Sequence, residues 1–261
     1  MARSKSCHLF LSAMRVGICT LVFVLIADSS FAQPFFFGNK NPRESSTATI
    51  GYAVVDFKFD GESSPAQPLS FDSPLYALTY SRSNLYASFA FGSQNAPDTT
   101  TNDLSFIDFT GAIWGEVFFS EAATEAAHRV FLPITFYTNY RKVAPKGLDV
   151  LEEFNITTFG LGLGLGYYGQ FNDRVLLEVR ATPVIGLAVR SFGDSTGNAR
   201  LLDGDVQLHI GEVFSTIGIS LGYHFRAMIW DVKTSSVFGG ITEDLFDYRE
   251  NNQTFSIGVN W

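Results

Sequence analysis

Residues 214–231 read FSTIGISLGYHFRAMIWD, and their alternation decides the fold. Ile217, Ile219, Leu221, Tyr223, Phe225, Ala227 and Ile229 share one face of an extended chain, and Thr216, Gly218, Ser220, Gly222, His224 and Arg226 share the other. Period two means strand, because successive side chains leave a strand on opposite sides. The run far exceeds the ~5–6 residues of a typical soluble strand, and at a tilt of ~40° it rises more than the ~25 Å apolar band of an outer-membrane barrel.

Working outward, the same pattern recurs. Residues 175–189 set Val175, Leu177, Val179, Ala181, Pro183, Ile185, Leu187 and Val189 against Glu178, Arg180 and Thr182, with Arg190 in the latter register. Pro183 has no ladder donor, which implies a bulge or a locally unpaired position. Residues 157–168 alternate Phe159, Leu161, Leu163, Leu165 and Tyr167 with Gly160, Gly162, Gly164 and Gly166; the glycine period of two is not that of a nucleotide-binding turn. Residues 130–142 alternate Val130, Leu132, Ile134, Phe136 and Tyr140 with Thr135, Tyr137, Asn139 and Arg141.

Less regular strands are expected at 47–59, 75–80, 85–91, 104–119, a short 206–211 and a last strand 254–261. The expectation is an all-β, antiparallel up-and-down transmembrane barrel of about ten strands, with eight and twelve left open. Short connections at 81–84, 121–128 and 170–173 alternate with longer ones at 60–73, 92–103, 143–155, 192–205 and 232–253, rich in Gly, Asp, Asn, Ser or Thr. Short turns belong to the periplasmic end and long loops to the outside.

The first 32 residues are expected to be removed. Arg3, Lys5 and Arg15 precede an apolar run from Val16 to Ala27, and Ser30 and Ala32 supply the small residues of a cleavage site between Ala32 and Gln33. Cys19 follows the bulky Ile18 inside the apolar run, so it is not a lipidation site; initiation at Met1 or Met14 gives a complete signal either way. Residues 33–46 then form a periplasmic segment, and 47–261 the barrel. No later stretch approaches the ~18 apolar residues of a spanning helix.

The net charge of −8 becomes −10 once Arg3, Lys5, Arg15 and Asp28 leave, with 15 basic against 25 acidic residues. Such a chain does not bind nucleic acid, whose phosphates need a basic surface. Both cysteines, Cys7 and Cys19, lie in the leader, so the mature chain has no disulfide or cysteine metal site. The histidines are dispersed and no cofactor or metal is expected.

Alternation alone does not say which face is inside. A face of Gly, Ser, Thr and mixed charges makes a poor solvent surface and a sensible narrow lumen. The lumen charges are then Asp108, Glu116, Arg141, Glu178, Arg180, Arg190 and Arg226 together with His224. They either pair and close the interior or line a narrow water path.

The chain ends on a strand whose outward positions Phe255, Ile257, Val259 and Trp261 are all apolar. That ending resembles the C-terminal signature of bacterial outer-membrane β-barrel proteins, and the architecture is similar to small barrels of the OmpX and OmpW kind. The resemblance implies residence in the outer membrane among its lipids and recognition of these four residues by the barrel-assembly machinery. Phe is the usual last residue of that family, where this chain has Trp261.

The function expected is a structural or surface-interaction barrel with no identified ligand; a narrow solute channel is the second reading. An outer-membrane lipid hydrolase or protease is a third, but Ser220 and His224 stand about 13 Å apart along one strand, too far for nucleophile and base. Ser215 with His209 is not excluded by sequence. No catalytic residue is assigned.

Overall fold

A computed structural model describes residues 46–61, 69–82, 84–95, 103–119, 127–146, 153–172, 174–190, 196–214, 217–235, 242–243 and 247–261. The expected leader, its Ala32/Gln33 cleavage site and nearly all of the periplasmic segment lie outside these residues. The strands are β1 Ser46–Phe59, β2 Ser70–Arg82, β3 Leu85–Gln94, β4 Leu104–Phe118, β5 His128–Pro145, β6 Phe154–Leu163, β7 Leu165–Asn172, β8 Val175–Arg190, β9 Thr196–Phe214, β10 Ile217–Ser235, β11 Thr242–Glu243 and β12 Tyr248–Asn260.

Each strand pairs antiparallel with its neighbours, and β12 pairs with both β10 and β1, which closes the sheet. The seam is pinned at its end by Ser46 N donating to Trp261 O at 2.9 Å and Trp261 N donating to Ser46 O at 3.0 Å. β6 and β7 are one path broken at Gly164, and β11 is a two-residue extension on β10. Ten strands therefore make the barrel, as the period-two runs predict.

The break at Gly164 has a local cause. Pairing with β8 stops at Gly162↔Val184 and resumes at Leu165↔Ala181, across from Pro183; pairing with β5 stops at Ile134↔Leu163 and resumes at Phe131↔Gly166, across from Pro133. Neither proline has an N–H to give the ladder. Gly164 N still donates to Pro133 O at 3.0 Å.

Register fixes the barrel's shape. Cα partners followed once round from Arg82, through Leu85, Ile113, Phe136, Leu161, Ile185, Arg200, Ile229, Arg249 and Lys58, return to β2 at Ser70, a stagger of 82 − 70 = 12 residues. Twelve residues at ~3.4 Å over ten strands at ~4.8 Å give a tilt of about 40° and a backbone diameter of about 20 Å. Side chains reaching in from opposite walls meet across such a lumen.

The outer wall is apolar. Ile50, Tyr76, Leu161, Leu163, Ile185, Leu187, Ile257 and Trp261 are among its exposed residues, an arrangement that water would penalise and lipid favours. Toward the long-loop end the outward residues become polar: β1 at Asp56, β2 at Asp72, β3 at Ser93, β4 at Ser105 and β10 at Asp231. At the 40° tilt these fall within about 5 Å of one level, the edge of a lipid-facing band. β9 and β12 turn polar sooner, at Arg200 and Gln253.

Three expectations are corrected. The short strand at 206–211 is a 19-residue strand beginning at Thr196, so most of the expected loop 192–205 is barrel wall. The expected loop 232–253 contains the end of β10, the pair β11 and the start of β12, and β2 begins at Ser70, inside the expected loop 60–73. The lumen, expected to be polar, is apolar at one end: Phe57, Phe71, Phe106, Phe154, Ile156 and Val232 all point inward and have no exposure.

Candidate functional site

The lumen divides into three levels. The first lies under the longer connections, where aromatic residues from around the ring converge. Phe57 stacks on Tyr248 at 4.8 Å and meets Phe154 edge-on at 4.9 Å. Phe71 packs on Phe106 at 4.9 Å, and Phe154 on Trp230 at 5.1 Å. Trp230 Nε1 donates to Thr158 Oγ1 at 3.1 Å, so the largest side chain in this layer has its one polar atom satisfied.

Directly beneath lies an ion cluster of two carboxylates and two guanidiniums. Arg141 Nε donates to Asp108 Oδ2 at 3.0 Å, and Arg141 also pairs with Glu250. Arg226 Nη2 reaches Asp108 Oδ2 at 3.2 Å and Glu250 Oε1 at 3.3 Å, while its Nη1 donates to Thr110 Oγ1 at 2.6 Å. Asn139 Nδ2 adds a bond to Asp108 Oδ2 at 2.7 Å. The formal charges cancel, which is the condition under which buried ions persist. Arg141 lies over Phe106 at 4.9 Å and over Trp230 at 5.2 Å, tying this level to the aromatic one above.

Ring order makes the cluster a bridge. β10 stands five strands from β4 in a ring of ten, so the Arg226–Asp108 contact joins opposite walls. The side chains in the bridge are buried.

The third level faces the short turns and the chain's ends. Asp203 accepts from His224 Nε2 at 2.7 Å and stands 3.9 Å from Arg180 Nη2. The Arg180 guanidinium lies 3.8 Å from the ring centre of Trp114. Tyr168 OH donates to Glu116 Oε1 at 2.6 Å, and Arg129 lies over the Tyr168 ring at 5.2 Å. Lower still, His209 Nδ1 and Ser220 Oγ are 2.8 Å apart, and Asn260 Nδ2 donates to Ser220 Oγ at 3.0 Å.

The structure thus gathers Asp108, Arg141 and Arg226 into one cluster and Arg180 and His224 into a second around Asp203. Glu116 is held by Tyr168, and Glu178 lies on the inner face of β8 beside Arg180. Arg190 is apart from them, half-buried at the long-loop end of β8. Phe255, Ile257, Val259 and Trp261 face outward on the seam strand.

Sequence reading missed Glu250, Asp203 and Asp205. Glu250 sits in YRENNQ, polar at every position, where alternation gives no signal; Asp203 and Asp205 sit in a Gly- and Asp-containing stretch that reads as a loop. It weighed Ser220 only against His224 and set that pair aside; the histidine that reaches Ser220 is His209, from the neighbouring strand. Among the described residues no three His, Cys, Asp or Glu side chains are placed to hold a metal ion.

The chain is similar in structure to Ail, the attachment invasion locus protein of Yersinia pestis (13% identity, 83% of this chain and 98% of that one, TM-score 0.29). It is similar also to the outer membrane protease OmpT of Escherichia coli (9%, 86% and 99%, 0.42) and to the toluene transporter TodX of Pseudomonas putida (7%, 84% and 89%, 0.27). At these identities and scores the likenesses carry nothing about role. No protein-family model and no curated protein matches the sequence.

Proposed function

We propose that this protein is a closed outer-membrane barrel with a structural or surface-interaction role, rather than a through-channel or an enzyme. The observation that carries the reading is the Asp108–Arg141–Arg226–Glu250 bridge across the full lumen beneath a dry aromatic layer. An ion crossing the barrel would have to break several charge-assisted hydrogen bonds and displace buried rings. Four of the five connections at this closed end span eight residues or more, against one of four at the other end, which makes it the outside by the usual asymmetry of such barrels, and they supply a surface for partners.

Planar-bilayer recording of the full mature chain tests the closure. The expected result is no stable current; a steady ohmic current from wild-type protein would overturn it. On this reading the lipid-facing Phe255, Ile257, Val259 and Trp261 are what the assembly machinery engages before the seam closes on β1. Deleting Trp261 should leave leader cleavage intact and reduce the heat-resistant inserted form, while Trp261→Phe preserves it. Insertion of the deletion variant at the wild-type level in cells would remove this assembly role.

A further inference from the structure

The lipid-facing band has a notch in its upper edge. The outward residues of β9 and β12 turn polar at Arg200 and Gln253, whereas those of β8, β10 and β1 stay apolar up to Val189, Ile229 and Val54. Register and tilt set Arg200 about 7 Å and Gln253 about 11 Å below the mean level at which β1, β2, β3, β4 and β10 turn polar. Asn251, also outward and exposed, lies close to the level of Arg200.

Between these polar positions the wall is low. The ladder sets Leu202 and Asn251 on either side of Ala227, and Gly204 and Gln253 on either side of Phe225. Ala227 presents only a methyl group, and a Cβ on the outward Gly204 would meet nothing closer than 3.8 Å. Ile185, Leu187, Leu202 and Ile229 stand exposed around the gap, so acyl chains surround it. Tyr223 OH donates to Gln253 Oε1 at 3.4 Å, which leaves the amide hydrogens of Gln253 for an acceptor outside the barrel.

Arg200 decides what fills the gap. It is exposed, and among the described residues it makes no ion pair or hydrogen bond; Asp231, the outward carboxylate nearest to it along the ladder, stands about 8 Å higher. A guanidinium among acyl chains is costly unless its head reaches a polar group, and a long side chain can snorkel to the interface alone. Snorkelling accounts for Arg200 but not for Asn251 and Gln253, whose shorter side chains end below the edge. A second copy of the chain fits poorly. In a two-fold dimer with its axis along the membrane normal, residues meet others of their own level, and Asp56, the carboxylate closest in level to Arg200, is held by Lys58 at 2.8 Å.

We infer that this notch seats the headgroup of a phosphorylated glycolipid of the outer leaflet. Arg200 takes a phosphate through paired N–H donors, Asn251 and Gln253 bond sugar hydroxyls, and the acyl chains lie on Leu202 and Phe225. Arg200 and Gln253 are about 16 Å apart across the sheet, a span that suits a sugar headgroup better than a single glycerophosphate. The inference rests on the long-loop end being the outside, not on the lumen being closed.

Native mass spectrometry of the folded full-length mature chain, released from detergent micelles, tests this with diphosphoryl lipid A, its dephosphorylated form and phosphatidylglycerol as probes. The diphosphorylated lipid is expected to stay bound, with the other two weaker by at least about tenfold. Arg200→Gln and Gln253→Leu, each accepted only when heat-modifiable mobility shows a folded barrel, should weaken it by about tenfold and about threefold. Lys142→Gln, which removes an outward cation of β5 on another side of the barrel, should change it by less than about twofold. Inorganic phosphate at roughly 10 mM should not displace the lipid. Four results would each overturn the proposal: either comparison lipid binding as tightly, unchanged binding by both folded notch variants, an equal loss in Lys142→Gln, or displacement by inorganic phosphate, which would make the ligand a soluble anion.

Discussion

The two ends of the lumen are built from the same ten strands and solve opposite problems. At the long-loop end the inward residues are mostly Phe, Trp, Leu, Ile and Val, buried and sealed by a neutral ion cluster. At the short-turn end one wall carries Gly, Ser and Thr, several of them partly exposed, and the other carries buried polar and aromatic side chains such as Arg180, Trp114, Phe131 and Tyr168. A barrel of this diameter has more interior than one ring of small side chains fills, so the difference is a choice of residue volume at equivalent positions. The closed end carries the larger share of the stability, and the short-turn end is held by polar side chains that bond to one another.

If that division holds, the largest loss comes from the closed end. Trp230→Ala removes the largest buried side chain of the aromatic layer, its bond to Thr158 and its contact with Arg141. The expected cost is about 5 kcal/mol, the top of the range for large aromatic truncations. Urea unfolding of the refolded protein in lipid vesicles measures it; a cost below about 1 kcal/mol would mean this end is not the core.

Next comes Glu250→Gln, which keeps the shape of the side chain but leaves Arg141 and Arg226 sharing Asp108. Removing one member of a buried ion cluster costs about 3–4 kcal/mol because the remaining charges stay buried. The same variant sharpens the comparison in bilayers: intermittent current in Glu250→Gln beside a silent wild type would locate the seal in the bridge rather than in the aromatic layer.

The outer wall provides the third step. Phe225 faces outward on β10, six residues below Asp231 and so near the middle of the apolar band, and Phe225→Arg should cost about 2–4 kcal/mol. A negligible penalty there would reverse the inside and outside assigned to β10.

Much of this was legible in the sequence where one face met lipid and the other did not. β10 alternates from Ile217 to Ala227 and β8 from Leu177 to Pro183, and the ten-strand closed barrel follows from such runs. Legibility fails where strands rise beyond the lipid band: there both faces of β12 are polar, and Glu250 is indistinguishable from Asn251 until the register sets it against Met228 of β10. It fails again on β9, where Asp203 and Asp205 look like loop residues because their partners Arg180 and His224 lie on neighbouring strands. The apolar upper lumen was hidden for a related reason. Val184 and Ala188 share the inner face of β8 with Arg180, so both faces of that segment are apolar and alternation does not tell lipid from core.

The smallest effect is expected at the short-turn end. Ser220 reads in sequence as a replaceable lumen residue, yet its hydroxyl accepts from Asn260 and stands 2.8 Å from His209 Nδ1, joining β9, β10 and β12 beside the seam. Because the Asn260 amide takes a lone pair of Oγ, the hydroxyl hydrogen is left for His209, and the cluster is satisfied within itself. Ser220→Ala leaves two buried polar groups short of one partner each, a cost of about 1–2 kcal/mol, well below that of the bridge. The arrangement is also the one in which a histidine could activate a serine, so stability alone does not separate seam from nucleophile. A fluorophosphonate probe does: with Oγ 1% exposed at the residue level and held from two sides, Ser220 should remain unlabelled in folded protein. Labelling that disappears in Ser220→Ala while the barrel stays folded would make the short-turn end a hydrolase site and end the reading of this protein as non-catalytic.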